Sequence, residues 1–247
     1  MARLNPQVAT SLVERVTDEI KSSILAGSLH PGQQFSIAEL CEELGVSHIP
    51  VREALRQLEA DGLVILRQNK SAIVAPLSLA EVKEIYRLRL LLEPALAAQS
   101  APSYTDQQLE EMGRLVEEMH ATGRGSRGLV GAESHSKLHR ALLSPAAGPV
   151  STTLLRRLWD VGERYISLVY DVRPVAAHEL YTKHLALVEV AQERSAPKIR
   201  KALKVHLSDS RDHMTEYVTP LLSADHEVSP VKLMSARRTD DAEAVAV

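Results

Sequence analysis

One cysteine, Cys41, is all the thiol chemistry that this 247-residue chain offers. A disulfide framework is therefore excluded, and Cys41 falls on an apolar helix face, where a free thiol acts as a small core side chain. Aromatic residues are only 3% of the chain, which argues against a surface that stacks unpaired bases. No run of 18 apolar residues and no N-terminal signal pattern occurs, so no membrane span is expected and the protein is expected in the cytoplasm. A basic surplus is missing as well. The net charge is −3, and residues 1–77 carry 7 Lys/Arg against 9 Asp/Glu, a net of −2. Any contact with nucleic acid must then come from a local grouping of cations, and from more than one copy of the chain.

Such a grouping lies in residues 46–64, VSHIPVREALRQLEADGLV. Val51, Ala54, Leu55 and Leu58 recur at helical spacing, Ser47 stands at the N-cap, and Gly62 supplies the stop. His48, Arg52 and Arg56 form a stripe beside that apolar face, with Ile49 and Glu53 beyond it. Upstream, Leu12, Val16, Ile20 and Ile24 mark one amphipathic helix. AGSLHPG (26–32) is a loop, and Ser36 with Glu39 makes a capping box for a short helix with Ile37, Leu40, Cys41 and Leu44 inward. Two helices joined through Gly45–Ser47 form a helix-turn-helix. Downstream, LVILRQNKSAIVAP reads as a hairpin with a polar tip at Arg67–Ser71, and so as a wing. The cations Arg52, Arg56, Arg67 and Lys70 gather on this helix and wing.

GVSHIPVREALRQLEADGLV resembles the most recognisable stretch of the GntR-family transcriptional regulators, with Pro50, Val51, Arg52, Ala54, Leu55, Leu58 and Gly62 in register. The resemblance extends over residues 8–76. It implies that Arg52 contacts DNA, with Ser47 and His48 at the N-terminal end of the recognition helix and Lys70 and Ser71 in the wing. His48 stands where the family usually has Arg, and Lys70-Ser71 where it commonly has Arg-Gly.

After Pro76 the periodicity predicts helices at 78–101, 105–121, 128–143, 150–171, 175–194 and 197–218, separated by breaker chemistry, the first opened by a capping box at Ser78 and Glu81. The expected fold is mainly α: a winged helix-turn-helix over 1–76, an all-helical antiparallel bundle of about six helices over 77–220, and a disordered tail over 221–247. In EIYRLRLLLEPALAA the apolar stripe is Ile85, Leu88, Leu92 and Leu96, and Arg89 lies inside it. A buried guanidinium needs a partner, either Glu93 one turn on or a carboxylate ligand held bidentately. Four histidines share the pattern. His135 and His139 are i, i+4 beside Leu138 and Leu142. His184 and His206 lie 11 residues before and after Ser195, so a helical hairpin brings them to one level, roughly 16 Å from the turn at 1.5 Å rise per residue. Singly each is a core histidine, and together they suit a divalent metal.

Residues 78 to about 218 resemble the helical effector-binding (FCD-type) domain of the FadR-like branch of that family. The resemblance implies a metal held by one Asp and three His, a nearby Arg, and a small organic acid bound to both. His139, His184 and His206 match the histidines, Arg89 the arginine, and His135 stands in place of the Asp. A neutral fourth ligand favours zinc or nickel over manganese or calcium. The expected protein is thus no enzyme. It is a regulator, a repressor by the family's habit, that binds a double-stranded operator as a homodimer and answers a small carboxylate. Two other readings stand beside it: a metal-free sensor of an apolar or acyl effector, and a helical metalloenzyme that activates water.

Overall fold

The computed structural model describes residues 11–67, 71–122, 129–172 and 175–224. The chain divides into two compact units, Met1–Pro76 and Leu77–Val247.

The first unit holds α1 (Leu12–Leu25), β1 (Gln34–Ser36), α2 (Ile37–Leu44), α3 (His48–Ala60), β2 (Val64–Arg67) and β3 (Ser71–Val74). Ser36 and Glu39 form the reciprocal capping box that starts α2, and Ser11 with Glu14 does the same for α1. Gly45 ends α2 at φ 64°, a left-handed position that a β-carbon would strain, and thereby sets the tight turn into α3. Val51, Ala54, Leu55 and Leu58 are fully buried against Val16, Ile20 and Ile24 of α1 and Phe35 of β1. The expected hairpin forms with Val64 opposite Val74 and Arg67 opposite Ser71. It is part of a larger sheet of order β1-β3-β2, because Gln34–Ser36 pairs antiparallel with β3. The three-residue β1 is too short to show alternation in sequence. Gln68, Asn69 and Lys70 at the tip of the wing lie outside the described residues.

The second unit holds α4 (Leu79–Ser100), a 3-10 turn (Ala101–Ser103), α5 (Asp106–Thr122), α6 (Leu129–Leu143), α7 (Pro149–Val172), α8 (Val175–Gln192) and α9 (Ala196–Ala224). Helix α4 packs against α6, α7 and α9, and α5 against α6 and α8. Three sequence expectations need correction. Helix α9 runs through Pro220 to Ala224; Met214 and Val218 are buried and Leu222 packs on the core, so burial outweighs the hydrogen bond that Pro220 cannot make. The helix thus takes in the first four residues of the expected tail, and residues 225–247 lie outside the described ones. At α4, Ser78 accepts from the Glu81 N–H (3.3 Å), but the Glu81 carboxylate turns to Arg164 (2.8 Å) and the Tyr165 hydroxyl, while the Ser78 N–H donates to Tyr165 (2.9 Å). Only half of the box forms, because α7 supplies stronger partners. Finally, the inward stripe of α4 is Val82, Ile85, Tyr86, Arg89, Glu93 and Ala97, with Leu88, Leu92 and Leu96 only half-buried.

Candidate functional site

Two groups of polar side chains stand out, one in each unit. In the first, α3 turns its apolar side inward and leaves Ser47, His48, Ile49, Arg52 and Arg56 exposed. Ser47 has the extended backbone of an N-cap, yet its hydroxyl caps nothing. The first N–H groups of α3 and this hydroxyl together offer donors to an anion. Arg56 pairs with Glu53 at 2.7 Å, and Arg52 carries no such ion pair. His48 Nδ1 lies 3.5 Å from the Cys41 sulfur, which links the start of α3 to α2. Ser71 departs from its expected place. It is buried, and its Oγ accepts from Gln34 Nε2 at 3.4 Å, because β1 covers that end of β3. Lys70 lies outside the described residues.

In the second unit the four histidines meet. His135 and His139 come from α6, His184 from α8 and His206 from α9; all are buried, and one nitrogen of each lies within 4.8 Å of the others. The α8–α9 hairpin brings the rings of His184 and His206 to 4.5 Å between centroids, and those of His135 and His139 are 4.7 Å apart. Burial first, and then the neighbouring imidazoles, hold the pKa of His135 and His206 well below the ordinary value of 6.5. Burial also lowers that of His139, against the pull of Glu93. Neutral rings keep a lone pair each, and His135 Nδ1, His139 Nε2 and His206 Nδ1 are buried with no hydrogen bond. Tetrahedral bonds of about 2.0–2.1 Å would set donor nitrogens about 3.4 Å apart. The cluster is slightly more open than that, and it fits a divalent ion of the zinc type in donor chemistry, number and orphaned atoms.

Beside the cluster, Arg89 takes Glu93, the first of its two expected partners. Its Nε donates to Glu93 Oε1 at 2.5 Å, the pairing that the i, i+4 spacing allows, and its Nη2 lies 3.3 Å from His139 Nδ1. The guanidinium is 2% exposed and stacks over Tyr86, 5.3 Å from the ring centre. Glu93 also accepts from Trp159 Nε1 (2.9 Å) and approaches His139 Nδ1 at 2.8 Å. Sequence reasoning gave Glu93 no role beyond pairing Arg89. The contacts to α6 and α7 span 46 and 66 residues, and no local spacing signals them. Outside this shell, a cleft of about 470 Å³ between α8 and α9 is lined by Leu187, Val190, Ala202 and Val205, reaches His206, and also carries Lys183, Lys198 and Lys201 together with Glu193 and Asp209.

Residues 12–74 match the family described as "Bacterial regulatory proteins, gntR family", and residues 84–209 match the FCD domain. The chain is 28% identical to the HTH-type transcriptional regulator BphR of Paraburkholderia xenovorans, over 81% of this chain and 84% of that one. It is 26% identical to the HTH-type transcriptional regulator LutR of Bacillus subtilis, over 77% and 95%. Among solved structures, E. coli McbR/YncC superposes with a TM-score of 0.75 at 21% identity, covering 85% of this chain and all of that one. A GntR regulator from Rhodococcus sp. RHA1 gives 0.69 at 21%, over 82% and 96%. These likenesses bear on fold.

Proposed function

The chain belongs to the GntR family of bacterial transcriptional regulators, with an FCD domain following the DNA-binding one, and on that premise we propose that it is a cytoplasmic repressor switched by a metal-held carboxylate. As a homodimer it binds a pseudo-palindromic operator. The α3 edge enters the major groove, where Arg52 reads a base edge or phosphate, Arg56 and His48 flank it, and Ser47 meets the backbone. Two copies double the phosphate contacts, which a domain of net −2 needs. Lys70 at the wing adds to them.

The observation that carries the switch is the convergence of four buried imidazoles. His135, His139, His184 and His206 would hold a divalent ion, zinc or nickel by the all-nitrogen donor set. When bound, the ion supplies Lewis acidity and positive charge to which a carboxylate binds. The protein's own part is to exclude water, fix the rings, and bring the Arg89 guanidinium within reach of the same place. Effector binding would change the arrangement of the bundle helices, and with it the half-site spacing that the dimer accepts. The relatives named above are transcriptional regulators, not enzymes.

The test is a thermal melt of the protein as isolated, after chelation, and with metal restored, each against a panel of small carboxylates. The reading predicts a melting point that falls on chelation, recovers with zinc or nickel, and rises further with one acid. Indifference to chelation would leave a metal-free sensor, with the cleft's apolar lining as the place to seek an acyl ligand.

A further inference from the structure

Among the described residues no carboxylate is more deeply buried than Glu93, at 0% exposure, and its neighbours come from three helices. Oε1 accepts Arg89 Nε from its own helix at 2.5 Å and Trp159 Nε1 from α7 at 2.9 Å. Oε2 lies 2.8 Å from His139 Nδ1 on α6, and 3.5 Å from Arg89 Nη2. Arg89 and Trp159 can only donate. The Arg89 guanidinium reaches both oxygens and the Trp159 N–H adds a further donor to Oε1, an arrangement that favours the charged carboxylate. The carboxylate is therefore ionised and can only accept.

That fixes the remaining partner. A neutral imidazole beside a pure acceptor must present its N–H, so Nδ1 of His139 carries the proton. The 3.3 Å approach of Arg89 Nη2 to the same Nδ1 is then a meeting of two donors that share Oε2, not a bond between them. The lone pair of His139 consequently sits on Nε2, the atom that is buried without a hydrogen bond. We propose that Glu93 is the positioning residue of the histidine cluster: it locks His139 as the Nδ1–H tautomer and aims the Nε2 lone pair among His135, His184 and His206. A carboxylate behind a ligating imidazole orients the ring and raises its basicity. Arg89 has a consequent part. By neutralising Glu93 it keeps that carboxylate behind the ring instead of among the ligating nitrogens, and Trp159 ties the assembly to α7. The consequence for metal affinity rests on the function proposed above; the tautomer does not.

The first measurement needs no substitution. Long-range ¹⁵N–¹H NMR of the histidine rings in the chelated protein, with His139 assigned by comparison with a His139→Gln variant, should show Nδ1 protonated and Nε2 bare. An Nε2–H tautomer overturns the inference. The second is zinc affinity by competition with a chelator. Glu93→Gln should bind zinc 10- to 100-fold more weakly, whereas a role confined to pairing Arg89 would alter stability alone. A folded variant with wild-type affinity overturns the role. Because the single substitution leaves the Arg89 charge uncompensated, Arg89→Met with Glu93→Leu removes both charges together and asks the same question. Should the wild-type protein take up no zinc, the metal reading of the preceding section falls, and the tautomer alone decides whether Glu93 positions His139.

Discussion

In the N-terminal unit Ser47, His48, Arg52 and Arg56 lie on the surface over a core in which, among the described residues, no charged side chain is buried. In the C-terminal unit Arg89, Glu93 and four histidines lie inside the core itself. Under the proposed function the difference follows from what each unit would meet. DNA is larger than the domain and is read from outside, so its contacts need no desolvated cavity. A small anion can be held selectively only where water is excluded and every polar group has a fixed partner. Stability and function should therefore separate cleanly in the first unit and be entangled in the second.

The largest effect that would break this contrast is expected at Arg89. Arg89→Ala strands a fully buried carboxylate, and loss of one partner from a buried pair costs about 3–5 kcal/mol. Denaturant unfolding should show that loss in the second unit, while Arg89→Met with Glu93→Leu should recover most of it. Equal stability of Arg89→Ala and the wild type would mean that the pair is solvated after all.

Acid sharpens the same contrast. His135 and His206 are depressed below 6.5 in the folded, metal-free protein. Below about pH 6.5 the unfolded chain therefore takes up protons that the folded one refuses. The unfolded state binds more protons there, so stability falls as pH falls, by up to about 1.4 kcal/mol per unit and residue. Chelated protein titrated from pH 7 to 5 should lose melting temperature. A variant with both histidines replaced by glutamine should lose distinctly less.

A smaller effect is expected on DNA. Arg52→Ala should weaken operator binding by about 1–3 kcal/mol, roughly 5- to 150-fold, at one salt concentration. Its melting temperature should not move, because the side chain is exposed and makes no ion pair among the described residues. A shift in stability without loss of affinity would contradict the placement of α3 in the groove.

How much of this was legible before folding differs between the units for the same reason. Helix α3 and its outward stripe follow from a local period, and local signals also give the Ser36–Glu39 capping box, the Gly45 turn and five of the six bundle helices to within two residues. His184 and His206 could be paired because a hairpin is mirror-symmetric about its turn. What stayed hidden is long-range: β1 finding β3, Tyr165 and Arg164 taking Glu81 from its cap, and Glu93 reaching His139 and Trp159. Such contacts are decided by which helices pack together. A period within one helix shows which residues face inward and says nothing of whom they meet. The Leu88, Leu92 and Leu96 stripe failed for a related reason. In a leucine-rich helix with buried Arg and Glu, apolarity does not mark the inward face.

The smallest predicted effect is a difference between two serines at helix starts. Ser36 accepts the Glu39 N–H at 3.1 Å, while Glu39 accepts the Ser36 N–H at 2.6 Å, so Ser36→Ala should cost about 1 kcal/mol of stability in the first unit. Ser47 occupies the same position before α3 but makes no capping bond, so Ser47→Ala should leave stability unchanged within a few tenths of a kcal/mol. Its cost should appear instead in operator affinity, with the dependence of that affinity on salt unchanged, because a neutral hydroxyl on a phosphate displaces no counterion. A Ser47→Ala variant that melts as early as Ser36→Ala would show that Ser47 caps α3 in solution. The start of the recognition helix would then be built for its own stability, as α2 is, with no donor held in reserve for DNA.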